Sequence, residues 1–301
     1  MASIYTHQDR NIRKTWFLMV GFFLVIAGIG YFFSYVYNNP SIFYFAIGLS
    51  IVMNIGSYWF SDRIVVAIAG AKQISKNEYP DFWNITENLC ITAGLPMPRL
   101  YVIADPAPNA FATGRDAKHA VVAVTTGLID ILDRSELEGV IAHELSHIGN
   151  KDMLVSTVAV VLVGIVTLLA DMFLRMTRFG GDRDRKVHPA VFLIAIGLSI
   201  LSPLIAKLMQ LAISRKREFL ADASGVLLTR YPEGLASALK KISAYGQPLR
   251  RANHATAHLY IANPFNSGGK TAGFLTKLFM THPPVEERIS ALIGHEGSES
   301  K

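Results

Sequence analysis

The sequence predicts a mainly α-helical membrane protein carrying a cytoplasmic α+β domain, and three observations predict it. Of 301 residues, 51% are hydrophobic and only 17% are charged, whereas soluble domains carry roughly 25% charged residues. The apolar residues gather into four runs, long or nearly long enough to cross a bilayer as helices. The polar remainder alternates short β-branched segments with amphipathic ones, and one helical segment spells His143-Glu144-Leu145-Ser146-His147.

The first run, Trp16 to Tyr37, is uncharged; after Asn38-Asn39-Pro40 a second uncharged run goes from Ser41 to Phe60. Each suffices for a hydrocarbon core of roughly 30 Å. Trp16, Tyr35, Tyr37, Tyr58 and Trp59 lie near the ends, where interfacial aromatics sit. The pair is read as a transmembrane hairpin. The third run, Met153 to Ala170, is closed by Asp171, and the fourth, Ala190 to Ala206, is interrupted by Pro203. These two are shorter and read as transmembrane or partly inserted, giving up to four membrane helices. The chain thus divides into an N-terminal hairpin (1–60), half of a polar domain (61–152), a second hairpin (153–213) and the other half of the domain (214–301).

Arg10, Arg13 and Lys14 precede the first run, and Arg215, Lys216 and Arg217 follow the fourth. By the positive-inside rule both halves of the polar domain face the cytoplasm. Arg175, Arg178, Arg183, Arg185 and Lys186, between the third and fourth runs, oppose that rule if both runs cross fully. Crossing or not, the chain returns to one side.

Net charge is +6, but the basic residues cluster at run ends, where they meet anionic headgroups, and nucleic acid is not an expected partner. Cys90 is the single cysteine, so no internal disulfide or cysteine metal cluster forms. The first apolar run is too long for a cleavable signal, and no small-residue cleavage pattern follows it.

Within the polar domain, Tyr79 to Ala93 reads as an amphipathic helix broken by Gly94-Leu95-Pro96-Met97-Pro98. Arg99 to Ala104 and His119 to Thr125 read as short strands. Pro108 and Gly114 bracket a short edge strand, Asn109 to Thr113. Ser135, with Glu138 three residues later, is taken as the capping box of the next helix.

On that helix His143 and His147 share a face and reach one metal ion, while Glu144 is turned by about 100° to flank it. This is where a general base belongs beside a zinc-activated water. The pattern alone arises by chance in roughly one or two of every hundred chains of this size, so its surroundings decide. Two histidines and a glutamate stand inside an apolar turn, "VIAHELSHI", where a core helix has no use for them. A second i,i+4 pair, His254 and His258, lacks the glutamate and is read as structural or superficial. A catalytic zinc needs a third protein ligand. A histidine six residues beyond His147 is excluded, because Met153 stands there. Glu218 is the better candidate, with Asp222 one turn later as acceptor for a histidine N–H. Ala221, Ala223 and Gly225 are small enough to let this helix approach the first.

His143-Glu144-x-x-His147, two apolar runs and Glu218-x-x-x-Asp222, with "PNAFATG" (Pro108–Gly114) and "THPPVEER" (Thr281–Arg288) in matching order, resemble the HtpX family of membrane zinc metalloproteases over nearly the whole chain. The resemblance implies a zincin-like domain with one Zn2+ per subunit and Glu144 as general base. It further implies a quality-control endopeptidase of the bacterial inner membrane, linked to heat and envelope stress. Its active site would face the cytoplasm, and its substrates would be unfolded, damaged or misassembled membrane proteins. The related eukaryotic prenyl-protein peptidases have more spans.

His282, fixed by Pro283 and Pro284, is the expected catalytic donor to the tetrahedral intermediate, with a plain helix-entry role as the alternative. Arg288 is expected to pair with an acid of its own helix, and Arg115 to anchor substrate or satisfy a loop. Asn109, Ala110, Phe111, Ala112 and Thr113 would receive an extended substrate by strand addition, unless another loop covers that edge. Residues 263–274 are Gly-rich and read as a lid or a linker. The rival reading is a metal-binding membrane carrier or scaffold. A transporter would place ionisable groups at mid-bilayer, where the four runs have none, and a carrier needs no base beside its ligands.

Overall fold

Two long helices joined by a tight turn begin the chain, α1 (Ile4–Val36) and α2 (Pro40–Ala69). Asn38 takes a left-handed φ of 46°, Asn39 caps α2 by accepting from Ser41 N at 3.0 Å, and Pro40 opens it. Proline suits this position because its missing N–H would be unsatisfied there anyway. The helices touch closely at Gly30, where an added Cβ would stand 2.2 Å from Ala46 Cβ. Their outward faces are apolar: Phe17, Tyr35, Tyr44 and Phe45 are 70–79% exposed, as side chains in lipid are. The computed structural model describes residues 4–150, 153–162, 164–165, 215–252, 256–265 and 283–294. Among these, α1 and α2 are long and apolar enough to cross a membrane. The fourth apolar run, and residues 163 and 166–170 of the third, lie outside the described residues.

The helix of the second run does not stop at Phe60. α2 continues to Ala69, and its Ser61, Asp62, Val65, Val66 and Ala69 are buried. Asp62 pairs with Arg99. Charge at Asp62 and Arg63 therefore marks a change of surroundings along one helix, not its end.

The polar domain is built on a four-stranded sheet of β1 (Lys72–Gln73), β2 (Arg99–Ile103), β3 (Ala110–Thr113) and β4 (Val121–Thr125), in the order β1-β2-β4-β3. β4 runs parallel to β2 and antiparallel to β3. Its residues Val121 to Thr125 are all buried, which its β-branched run anticipates for a central strand. The strand starts two residues later than expected, because Ala117–His119 forms a 3-10 turn capped by Asp116. Helices α3 (Pro80–Ala93), α4 (Thr126–Ile131), α5 (Arg134–Gly149), α6 (Met153–Leu162), α7 (Arg215–Thr229), α8 (Pro232–Ala244) and α9 (Val285–Ile293) complete the described elements.

α5 is the axis of the domain, packed against α3, α7, α8 and β3. Val140, Ile141, Leu145 and Ile148 of α5 join Val122 and Val124 of β4 and Leu235 and Leu239 of α8 in one core. α6 bridges the two parts of the molecule. Its Val158 and Leu162 cluster with Phe22, Ile26 and Ala46 of the hairpin, and Val160 clusters with Val65, Phe111 and Tyr260.

The cap of α5 corrects the expectation of Ser135 with Glu138. The N-cap is Asp133, whose Oδ1 accepts from the backbone N–H of Ser135 and Glu136 at 2.9 Å each. Glu136 Oε2 reaches back to Asp133 N at 2.9 Å. The same glutamate accepts from Ser237 and Lys241 of α8 at 2.6 Å each, and this tertiary contact fixes the earlier register. Asp133→Ala is expected to destabilise the protein and Ser135→Ala clearly less, in thermal melts of detergent-solubilised protein. The reverse ranking would restore the later box.

Candidate metal centre

α5 presents His143 and His147 one turn apart, their rings edge-to-face with centroids 4.8 Å apart. α7 brings Glu218 to the same point. The two helices approach closely because α7 is small where they meet: Ala221 is fully buried, and a Cβ on Gly225 would stand 3.0 Å from the backbone N of His143. One ligand atom from each of His143, His147 and Glu218 lies within 4.8 Å of the others.

The separations suit a metal ion. His143 Nε2 and His147 Nε2 are 3.2 Å apart, His147 Nε2 is 3.6 Å from Glu218 Oε1, and His143 Nε2 is 3.9 Å from Glu218 Oε2. Tetrahedral ligands about 2.0–2.1 Å from a zinc ion stand about 3.4 Å from one another. Charge agrees as well. Among the described residues, the carboxylates of Glu144, Glu218 and Asp222 are buried around a single buried guanidinium, Arg288. A divalent cation offsets that imbalance, which low-dielectric surroundings would otherwise penalise.

Asp222 fixes the tautomer of His143. Its Oδ1 is 2.8 Å from His143 Nδ1, while Arg288 Nη2 lies 3.4 Å from the same nitrogen. Both contacts cannot be hydrogen bonds, since a guanidinium only donates and a carboxylate only accepts. The shorter one prevails: Nδ1–H donates to Asp222, leaving the Nε2 lone pair aimed at Glu218 and His147. Burial lowers the His143 pKa to about 4 against the opposing pull of Asp222, so the imidazole is neutral and able to ligate. Burial raises the Asp222 pKa, but His143 and Arg288 outweigh it and bring it down to about 2.

Arg288 corrects the expectation of a partner on its own helix. Its Nε and Nη2 donate to Asp222 of α7 at 2.9 and 2.6 Å, and Nη1 donates to the Ile261 carbonyl at 3.1 Å. It therefore stands directly behind the centre, 1% exposed. The signal was present in the sequence. Val285, Ile289 and Leu292 pack on the core, and position 288 falls in that same helical stripe, which points an arginine inward.

Glu144 is buried beside the group without belonging to it. The backbone N–H of Ala112 on β3 faces its carboxylate and favours the charged form. Burial, with Glu218 nearby, pushes its pKa up to about 7 against the pull of His147 and Arg288.

β3 is an edge strand of the sheet, but part of its outer edge is covered by the chain itself. Tyr260 bridges to Phe111, and Ile261 N donates to the Ala110 carbonyl at 2.9 Å. The Asn109 side chain bonds both to the Ala262 carbonyl and to its N–H, at 3.0 and 3.3 Å. The edge left to another strand is therefore shorter than Asn109–Thr113, and Asn109 to Thr113 are all buried in this structure. Arg115 faces α2 and not the metal ligands: it lies 4.7 Å over the Trp59 ring and donates to the Trp59 carbonyl at 3.1 Å. His258 is buried, not superficial. His254, His282 and residues 266–274 of the Gly-rich stretch lie outside the described residues.

The sequence profile of peptidase family M48 matches residues 77–296, which hold every residue of this centre. The chain belongs to peptidase family M48. It is 47% identical to a protease HtpX homolog of Tropheryma whipplei (strain Twist) over 289 residues, 96% of this chain and 97% of that protein. It is 46% identical over 297 residues to the protease HtpX homolog of Thermoanaerobacter pseudethanolicus, and 43% identical over 303 residues to that of Lactobacillus helveticus, again over 96% of this chain and 97% and 99% of those proteins. Among solved structures, that of S. mikatae Ste24p is similar with a TM-score of 0.49 and 18% identity, covering 95% of this chain and 67% of that one. As an M48 peptidase with two apolar helices of spanning length, the protein is a membrane metallopeptidase.

Arg288→Leu is expected to lower metal affinity by about 10–100-fold, through loss of the support that orients Asp222 and His143. Competition with a chromophoric chelator measures this; unchanged affinity would reduce Arg288 to packing.

Proposed function

We propose that the protein is a zinc-dependent endopeptidase of the bacterial inner membrane that cleaves unfolded or damaged membrane proteins on the cytoplasmic side. The observation that carries this reading is Glu144, a buried carboxyl with a pKa near 7 beside a His-His-Glu group. His143, His147 and Glu218 would hold the metal, and two imidazoles with one carboxylate are a donor set that suits zinc. When bound, zinc supplies Lewis acidity that polarises a peptide carbonyl and makes a water acidic enough to lose its proton near neutral pH.

The chain's own residues do the rest. Glu144 takes the proton of the attacking water and delivers it to the leaving amine, which its pKa near 7 permits in both directions. The Ala112 N–H faces that carboxylate and favours its charged form. Asp222, itself held by Arg288, keeps the His143 proton on Nδ1. The part of β3 beside Glu144 would receive the substrate main chain, whose backbone hydrogen bonds are indifferent to sequence. That suits a protease acting on damaged chains of many kinds. His282 is retained as the proposed donor to the tetrahedral intermediate. The cytoplasmic placement is supported by Arg10, Arg13 and Lys14 before α1's apolar stretch and by Arg215, Lys216 and Arg217 at the start of α7.

Glu144→Gln is expected to reduce cleavage of an unstructured polypeptide by purified, zinc-loaded protein by at least about 100-fold with zinc content unchanged, the scale of a lost general base. Metal removal should abolish the parent's activity and zinc restore it. Equal rates for parent and variant would reject the mechanism.

A further inference from the structure

The end of β3 that adjoins Glu144 is tied to the membrane hairpin, and two separate contacts establish this. Arg115, two residues beyond β3, lies 4.7 Å over the Trp59 ring and donates to the Trp59 carbonyl at 3.1 Å. Thr113 Oγ1 is 2.9 Å from Thr157 Oγ1, and Gly114 N donates to the same oxygen at 3.3 Å. The residue after Thr157, Val158, clusters with Phe22, Ile26 and Ala46 of α1 and α2.

Trp59 marks the bilayer surface. From Ser61 onward α2 is repeatedly buried by the polar domain, so its lipid-facing part ends at Phe60. From Pro40 to Phe60 a helix rises about 31 Å, which matches a hydrocarbon core of roughly 30 Å. Trp59 and Phe60, 53% and 50% exposed, then lie at the interface, where aromatic belts sit. The path from there to the chemistry is short. Arg115 is three positions along the chain from Ala112, whose N–H faces Glu144, and three extended residues span at most about 11 Å.

The other end of the strand is closed among the described residues. Asn109, Ala110 and Phe111 are engaged by Tyr260, Ile261 and Ala262. A substrate strand that reached Glu144 would therefore meet β3 at its Ala112–Thr113 end, the end nearest the bilayer, where both residues are buried in this structure.

We propose that this protease takes its substrate at the membrane surface and cuts within about eight residues of the end of a membrane span, the reach of an extended chain from the interface to Glu144 with a few residues seated on the strand. The proposal rests on the endopeptidase reading and narrows its substrates to the juxtamembrane segments of membrane proteins. Position relative to the bilayer, more than side-chain identity, selects the bond that is cut.

The test uses the full chain, zinc-loaded and reconstituted in liposomes, with substrates made of one membrane span followed by a long polar tail of uniform repeating sequence. Cut positions are mapped by mass spectrometry, with Glu144→Gln as the blank. Cuts should concentrate in the first eight or so tail residues. Moving one preferred cleavage sequence from about five to about 25 residues beyond the span should slow its cleavage by about tenfold, because effective concentration falls roughly as the −3/2 power of tether length. Cuts spread evenly along the tail, or equal rates at both positions, would overturn the juxtamembrane proposal and leave the endopeptidase intact. A tail left uncut in every substrate by the zinc-loaded parent would overturn both.

Discussion

The close approach of α7 to α5 is the constraint on which the rest of this structure depends. The two helices lie on opposite sides of residues 153–213 in sequence, yet a Cβ at Gly225 would stand only 3.0 Å from the His143 backbone N. That contact lets Glu218 complete the group begun by His143 and His147, and sets Asp222 against His143 Nδ1. A larger residue at 225 would separate the helices and leave the ligand atoms too far apart for one ion. The remaining elements brace this crossing. α8 locks the start of α5 through Glu136, and α9 delivers Arg288 behind α7.

Such a centre is costly to bury without a cation. Two histidines, three carboxylates and one guanidinium share a region where, His147 apart, exposure does not exceed 2%. Pairing accounts for part of the charge: Asp222 and Arg288 satisfy one another. Glu218 lies 3.9 Å from Arg288 Nη1 and groups with the histidine nitrogens in a donor set that could hold a metal ion. Glu144 is different in kind. Its raised pKa reflects desolvation, and a group so poised moves protons near neutrality.

Much of this was legible in the sequence because it rests on local spacing. The i,i+4 histidines, the glutamate between them and Glu218 with Asp222 are helical intervals, and the lengths of α1 and α2 follow from runs of apolar residues. What was misread rests on tertiary contact. Asp133 and Ser135 are equally good caps on paper, and only the grip of Ser237 and Lys241 on Glu136 chooses between them. The edge strand was recognised from Pro108 and Gly114, but its cover by Tyr260 and Ile261 comes from a segment well over a hundred residues later in the chain. Arg288 has acids on its own helix in Glu286 and Glu287, and only its place in the stripe of Val285, Ile289 and Leu292 turns it toward Asp222. Arg115 was open between anchoring substrate and satisfying a loop, and Trp59 of the membrane hairpin holds it.

The central claim is that both halves of the polar domain contribute to a single metal centre. Zinc-edge X-ray absorption on the purified protein, beside Glu218→Ala, tests it most directly. The account predicts one zinc per chain in the parent with two histidine nitrogens and a carboxylate oxygen at about 2.0–2.2 Å, and loss of that oxygen with weakened binding in the variant. An unchanged zinc environment in Glu218→Ala would contradict it, because the metal would then be held by α5 without α7.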